Sequence, residues 1–194
     1  MSASIKSLID LTKARRTIYE LKPELPTGVT EQEITALASA IIKHTPTSFN
    51  IQNIRAIVLY GDANKKLWSS VYEATKEFPF SGRPKSLAET SYGTIVFFND
   101  QTTIDEISKK FEVYKDNFPI WAANANGAAQ IDIWKAISAM GLGANLQHFN
   151  PWVQESVKDK VDGSWNVVAQ LAFGVPAGEA GEKQFADYEI KEFR

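Results

Sequence analysis

The stretch Gly127-Ala-Ala-Gln-Ile-Asp-Ile-Trp-Lys-Ala-Ile-Ser-Ala-Met-Gly-Leu-Gly-Ala-Asn-Leu-Gln-His-Phe-Asn-Pro151 decides how the rest of the chain is read. Its first half predicts a helix that is apolar almost all round: Ile131, Ile133, Trp134, Ile137 and Met140 occupy more than one face, and only Asp132 and Lys135 carry charge. Such a helix is buried on several sides, in a core or against a second subunit. Gly141 ends it, because glycine accepts the left-handed conformation of a helix C-terminus. Beyond it Asn145, Gln147, His148 and Asn150 crowd beside Leu146 and Phe149. Two readings stay open here. An apolar wall that ends in amide and imidazole groups suits a flat, polar-edged ligand, and a helix followed by an ordinary polar loop gives the same letters.

Outward from this stretch the pattern is of helices alternating with apolar strands. Ile5, Leu8, Ile9 and Thr12 have the spacing of a short amphipathic helix ahead of Arg15-Arg16-Thr17. The first 22 residues hold five cations against two carboxylates. Two arginines side by side at a helix end can fork around one phosphate with a threonine hydroxyl as a further donor; a solvated basic surface is the alternative. Lys22 to Gly28, with Pro23 and Pro26, reads as a linker without regular structure. Thr30 and Glu33 form a capping box for a helix ending near His44, its face marked by Ile34, Leu37, Ala38, Ile41 and Ile42.

Pro46 stops that helix, and residues 45–53 are dense in short hydroxyls and amides. They serve a turn or the edge of a ligand equally well. Arg55–Tyr60 is a β-branched strand, closed by Gly61-Asp62, which caps a helix over 63–77 with Leu67, Trp68, Val71 and Tyr72 inward. Phe78 to Ser86, with Pro79, Gly82 and Pro84, reads as irregular. Tyr92–Phe98 is a second strand. A helix from Thr102 or Thr103 places Ile104, Ile107, Phe111 and Tyr114 on its core side, and Phe118-Pro119 breaks it. A short helix follows Pro151, and Trp165–Phe173 is a third strand, closed by Gly174 and Pro176. The last residues, from Ala177 to Arg194, are too poor in apolar groups for a core of their own and are expected to fray or pack on a partner.

The 194 residues, 44% hydrophobic and 23% charged with net charge -2, fit one globular domain over 1–194. There is no basic footprint for nucleic acid and no apolar run long enough to span a bilayer. The absence of cysteine removes disulfides, thiolate catalysis and thiolate-bound metals, and two histidines are too few for most zinc sites. No leader is evident; the cytoplasm is the expected compartment, with the nucleus as a second. Gly141-Leu142-Gly143 fails as a dinucleotide fingerprint, since Leu146 stands where a third glycine belongs and a helix, not a strand, precedes it. With no hydrolase motif present, demanding chemistry would have to come from a bound cofactor.

Three stretches carry a resemblance: Arg15-Arg16-Thr17-Ile-Tyr19, Pro46-Thr47-Ser48-Phe49-Asn50-Ile-Gln52 and Gly141-Leu-Gly-Ala-Asn-Leu-Gln147-His148-Phe149-Asn150. In this order and spacing the chain resembles the FMN-dependent nitroreductase family, and within it the fungal oxidoreductases associated with fatty-acid regulation and oxidative stress. The resemblance implies an α+β fold whose central, mainly antiparallel sheet is flanked by helices. It implies a domain-swapped homodimer in which the C-terminal tail extends the partner's sheet. Arg15 and Arg16 would grip the FMN phosphate, with Thr17 and Tyr19 at the same end and Lys183 approaching from the C-terminal side. Pro46, Thr47, Ser48 and Asn50 would reach the ring and ribityl chain from the other protomer, supported by Gln52. Gln147, His148, Phe149 and Asn150 would lie along the ring, and Trp121 with segment 78–86 would shape substrate access.

The implied activity is ping-pong hydride transfer from NADH or NADPH through the flavin N5 to a nitroaromatic, quinone or similar small-molecule acceptor, with no catalytic side chain obligatory and no metal. Two departures bear on it: Ile51 stands where many relatives have serine, and residues 78–90 lack the polar flavin contacts of larger members. A flavin-binding sensor with little turnover, and a structural dimer that has lost flavin, are the competing readings.

Overall fold

A computed structural model describes residues 2–187 and 189–194. A five-stranded sheet organises them, and each of its ladders is antiparallel. Strand β2 (Ile54–Tyr60) pairs with β3 (Gly93–Asp100), β3 with β5 (Trp165–Pro176), and β5 also takes β4 (Gly143–Gln147) and the two-residue β1 (Leu21–Lys22). Around them lie α1 (Ala3–Ala14), α2 (Glu31–His44), α3 (Gly61–Thr75), α4 (Gly82–Thr90), α5 (Gln101–Lys110), α6 (Phe118–Ala139) and α7 (Asn150–Val157). This is the expected α+β arrangement. No helix among the described residues is long and apolar enough to cross a membrane.

The unbroken apolar run of β3 follows from its position, covered on both faces. Side chains alternate across a strand, so Ile95 and Phe97 join one core with Ile34, Ala38, Ile133 and Ile137 from α2 and α6. Val96 and Phe98 join another with Leu67, Trp68, Val71 and Leu87 from α3 and α4, and Val153 and Val157 from α7. A bulge between Phe97 and Phe98 leaves Val168 as the extra residue of β5. At Gly174 a Cβ would run into the Lys22 carbonyl, so glycine is what lets β1 close against β5.

Local sequence accounts for the helix ends. Thr30 Oγ1 accepts from the Glu33 N–H at 3.2 Å while Glu33 accepts from the Thr30 N–H at 2.9 Å, as the capping box predicts. The Thr30 N–H and then the Thr30 hydroxyl, both donating to the Glu33 carboxylate, hold it below its ordinary pKa. Helix α6 runs 22 residues to Ala139 and is closed just beyond its Met140 cap by Gly141, φ +85°, with the Leu142 N–H reaching back to the Ile137 carbonyl.

Several expectations are corrected. Gly61-Asp62 does not cap α3; the helix starts at Gly61 itself, and no side chain caps it. Lys22 is paired in β1 rather than lying in a linker. Residues 82–90 form α4, not an irregular segment, because Pro84 sits in the first turn, where its missing N–H costs nothing. Phe111 and Tyr114 lie past the end of α5, in a cap and a short 3-10 turn. Pro119 opens α6 instead of breaking a helix. The stretch after Gly141 is the strand β4, so the reading of a polar loop fails there. The strand from Trp165 runs on through Gly174 to Pro176.

Under α3 a chain of buried bonds runs from Trp68 Nε1 to Thr94 Oγ1 at 2.8 Å, on to Asn64 Oδ1 at 2.6 Å, and from Asn64 Nδ2 to Ser91. Thr94→Val keeps the shape but leaves the indole N–H and the Asn64 carbonyl without partners. We expect a loss of about 2 kcal/mol, read as a Tm lowered by roughly 4–8 °C in a thermal melt.

Candidate active site

Arg15 is the C-cap of α1, and Arg16, Thr17 and Ile18 then run beside β4. Thr17 bridges Ala144, and the Ile18 N–H donates to the Ala144 carbonyl at 2.9 Å. This pairing turns both guanidinium groups toward one cavity of about 560 Å³, whose walls include Arg15, Arg16, Thr17, Tyr19, Lys183 and the carboxylates Glu20, Glu179 and Glu182. The Arg15 guanidinium lies 4.4 Å over the Trp134 ring of α6. Partial burial and the adjacent Arg16 charge lower its pKa, and an arginine stays protonated regardless. Arg16 Nη2 donates to the Gly181 carbonyl, which brings the C-terminal segment over the site. Despite the three glutamates, no carboxylate oxygen among the described residues comes within 4 Å of Arg15, Arg16 or Lys183. The chemistry on offer is that of an anion site.

The third motif adjoins this cavity through β4, and its side chains divide. Asn145 donates to the Ile18 carbonyl at 2.9 Å and accepts from Gln147 Nε2 at 2.7 Å. His148 is exposed. Phe149 is turned into the core against Trp68, at 5.9 Å and edge-on. Asn150 Nδ2 holds the bulged Val168 carbonyl, and its Oδ1 accepts from Gln170. Phe149 and Asn150 are therefore spent on the fold, and Gln147 and His148 keep side-chain groups free for a ligand.

The second motif stands elsewhere in the chain. Pro46, Thr47, Ser48, Asn50 and Gln52 follow α2, and three neighbours have left-handed backbones: Phe49 at φ 56°, Asn50 at 53° and Gln52 at 49°. Asparagine tolerates this; phenylalanine and glutamine are strained by about 1 kcal/mol or more each. The strain is held from three directions. Thr47 Oγ1 accepts from the Gln52 N–H at 3.0 Å, and Arg55 Nη1 donates to the Gln52 carbonyl at 2.6 Å. The Phe49 ring sits among Phe111, Tyr114, Phe118 and Trp121. Thr47 and Gln52 line a second cavity of about 460 Å³, which shares no residue with the first. Trp121, stacked on Phe49 at 6.3 Å, belongs to this second group.

One chain thus brings together the first motif, the third and Lys183, and keeps the second apart. Helix α6 lies between, and a buried amide relay ties it to the loop: Asn53 and Asn126 both donate to Asn99 Oδ1, and Gln130 donates to Asn126. Sequence reasoning passed over Trp134 as the platform for Arg15, and Phe49 as the anchor of its loop; a large aromatic inside a run of short polar residues was the signal for the latter. It also passed over Arg83, whose guanidinium lies 4.4 Å over the Tyr19 ring. The two are 64 positions apart, and no spacing rule joins them.

A model described as the nitroreductase family matches residues 12–175. The Saccharomyces cerevisiae protein HBN1 is 42% identical over 193 residues, 100% of each chain. Among solved structures, nitroreductase CinD of Lactococcus lactis with chloramphenicol superposes with a TM-score of 0.85 at 33% identity, covering 95% of this chain and 100% of its own. CinD is also solved with nicotinic acid and with 4-nitrophenol. A Desulfovibrio desulfuricans protein solved with FMN shares the fold, with a TM-score of 0.69 at 18% identity, covering 92% of this chain and 91% of its own. The chain belongs to the nitroreductase family, a family of oxidoreductases.

Proposed function

We propose that the protein is an FMN-dependent NAD(P)H oxidoreductase that reduces nitroaromatics, quinones or similar acceptors, and that it works as a homodimer. The observation that carries this reading is the cavity where Arg15, Arg16 and Lys183 converge with no carboxylate among the described residues within ion-pair distance. Two arginine forks, an ammonium and the Thr17 hydroxyl fit a phosphate dianion. The FMN complex of the Desulfovibrio relative and the flat aromatic ligands of CinD support the same reading.

FMN, when bound, supplies the hydride chemistry. The chain's own residues bind and orient. Arg15 and Arg16 hold the phosphate end, Tyr19 borders it, and Gln147 and His148 offer polar groups along the ring. Phe149 and Asn150 act at one remove by shaping β5 and α7 beneath. The strained loop Pro46–Gln52 is assigned to the partner's site, since its own chain holds it in a separate cavity. Ile5, Leu8 and Leu11 of α1 are exposed, as are Phe185, Ile190 and Phe193 of the tail, which suits an interface between copies in which the tail crosses to the partner.

The first test is the visible spectrum of the protein, loaded with FMN and desalted. A retained flavin band at about one FMN per chain, with NADH or NADPH oxidised steadily once a quinone or nitroaromatic is added, is expected. A colourless protein after loading refutes the assignment, and a yellow one without turnover leaves the flavin-binding sensor.

A further inference from the structure

Residues 78–83 join the first and third motifs on their outer side. The Phe78 N–H donates to the Thr75 carbonyl at 2.8 Å, Ser81 to Phe78 at 3.1 Å and Arg83 to Phe80 at 3.1 Å, a tight winding into α4. The Phe78 and Phe80 rings stack at 5.1 Å and 17° yet remain 46% and 43% exposed. Phe80 leans on Phe149 at 5.9 Å, and Trp152 lies 5.7 Å from Phe80 and 6.0 Å from Phe78. Arg83 covers Tyr19 with one face of its guanidinium. Among the described residues it has no carboxylate within 4 Å and no side-chain hydrogen bond, whereas Arg55 has both. A guanidinium stacked on a ring keeps its in-plane N–H fork open to a carboxylate. A flat apolar surface and a free fork therefore stand one helical turn apart, beside the anion cavity.

We propose that Phe78, Phe80 and Arg83 select the electron acceptor: a flat aromatic ring carrying a carboxylate, its ring laid on the phenylalanine pair and its carboxylate paired with Arg83. The inference rests on the oxidoreductase reading and names the substrate class of that same site. Its ligand is distinct from the phosphate held by Arg15 and Arg16.

The test is calorimetric binding of 4-nitrobenzoate and of its neutral isostere 4-nitrobenzamide to the full-length, FMN-loaded protein, with the flavin band recorded on each sample. The expected result is a preference of about tenfold for the benzoate, the scale of one charge-assisted pair. Arg83→Gln should bring the benzoate down to the affinity of the amide with the flavin band retained. Phe80→Ala should weaken both ligands by a similar factor and leave their ratio intact. Equal affinities in the unaltered protein, or a preference that survives Arg83→Gln, would overturn the proposal. So would loss of the flavin band on Arg83→Gln alone, since Arg83 would then serve the cofactor. If no sample retains flavin but the benzoate preference still depends on Arg83, the oxidoreductase reading falls and this ligand site stands.

Discussion

Replacing Arg15 and Arg16 together by alanine is expected to weaken FMN binding by about a hundredfold or more. Each guanidinium offers a forked pair of donors, and a hydrogen bond to a charged group contributes roughly 1.5–3 kcal/mol. Both arginines are half-buried, so solvent screens part of that. Even the lower figure for each, summed, corresponds to about two decades in Kd. Flavin fluorescence titration reads the effect directly. The affinity of the unaltered protein should also fall more steeply with added salt than that of the double variant, because fewer charges remain to be screened. Thermal stability should change little: α1 has no buried residue, and the Arg15 contact with Trp134 is a single cation–π interaction. Equal affinity in the two proteins would mean that the arginines are solvated surface cations and that the phosphate end lies elsewhere.

Asp100→Ala is expected to destabilise the fold by about 3 kcal/mol and to loosen the second motif with it. One carboxylate oxygen takes Arg55 Nη2 at 2.8 Å; the other caps α5 through the Thr103 N–H at 3.3 Å and accepts from Ser164 Oγ at 3.2 Å. The carboxylate is largely buried, so its removal strands a guanidinium left with the Gln52 and Ile54 carbonyls and the Trp165 ring but no countercharge. Arg55 also pins the Gln52 carbonyl, and so the damage reaches the strained turn. Thermal melts should show a Tm lowered by roughly 6–12 °C, and FMN affinity should drop in the same variant. Asp100→Asn, which keeps the acceptor for Thr103, should recover the capping part alone. A Tm within a degree of the unaltered protein would show that the ion pair does not hold the loop.

Much of the architecture was legible because local and global preferences agree. The Thr30/Glu33 box and the unbroken apolar run of β3 each have one physical solution, and each occurs. Helix α4 was hidden by Pro84, which reads as a breaker unless its place in the first turn is known. Strand β4 was hidden because its amides are the letters of a loop; only the tertiary partner of Asn145, the Ile18 carbonyl, shows why a strand carries them. The site divides in the same way. Contiguous pairs such as Arg15-Arg16 announce themselves, while Trp134 beneath Arg15 and Arg83 above Tyr19 are joined by folding alone. Phe149 and Asn150, conspicuous in the third motif, are also held by contacts no spacing shows: one packs in the core against Trp68 and the other bonds the bulge of β5.

Helix α6 sets a limit on how the sequence of this protein can drift. Asn126 grips the strand below the Gln52 loop, and Trp134, eight positions later, supports Arg15. One inserted residue between them would turn Trp134 by about 100° and push it about 1.5 Å along the axis, carrying the indole out from under the guanidinium while Asn126 stayed in place. Substitutions along this helix can be absorbed one at a time, but insertions and deletions there should be absent from functional descendants, however freely the tail beyond Pro176 changes its length.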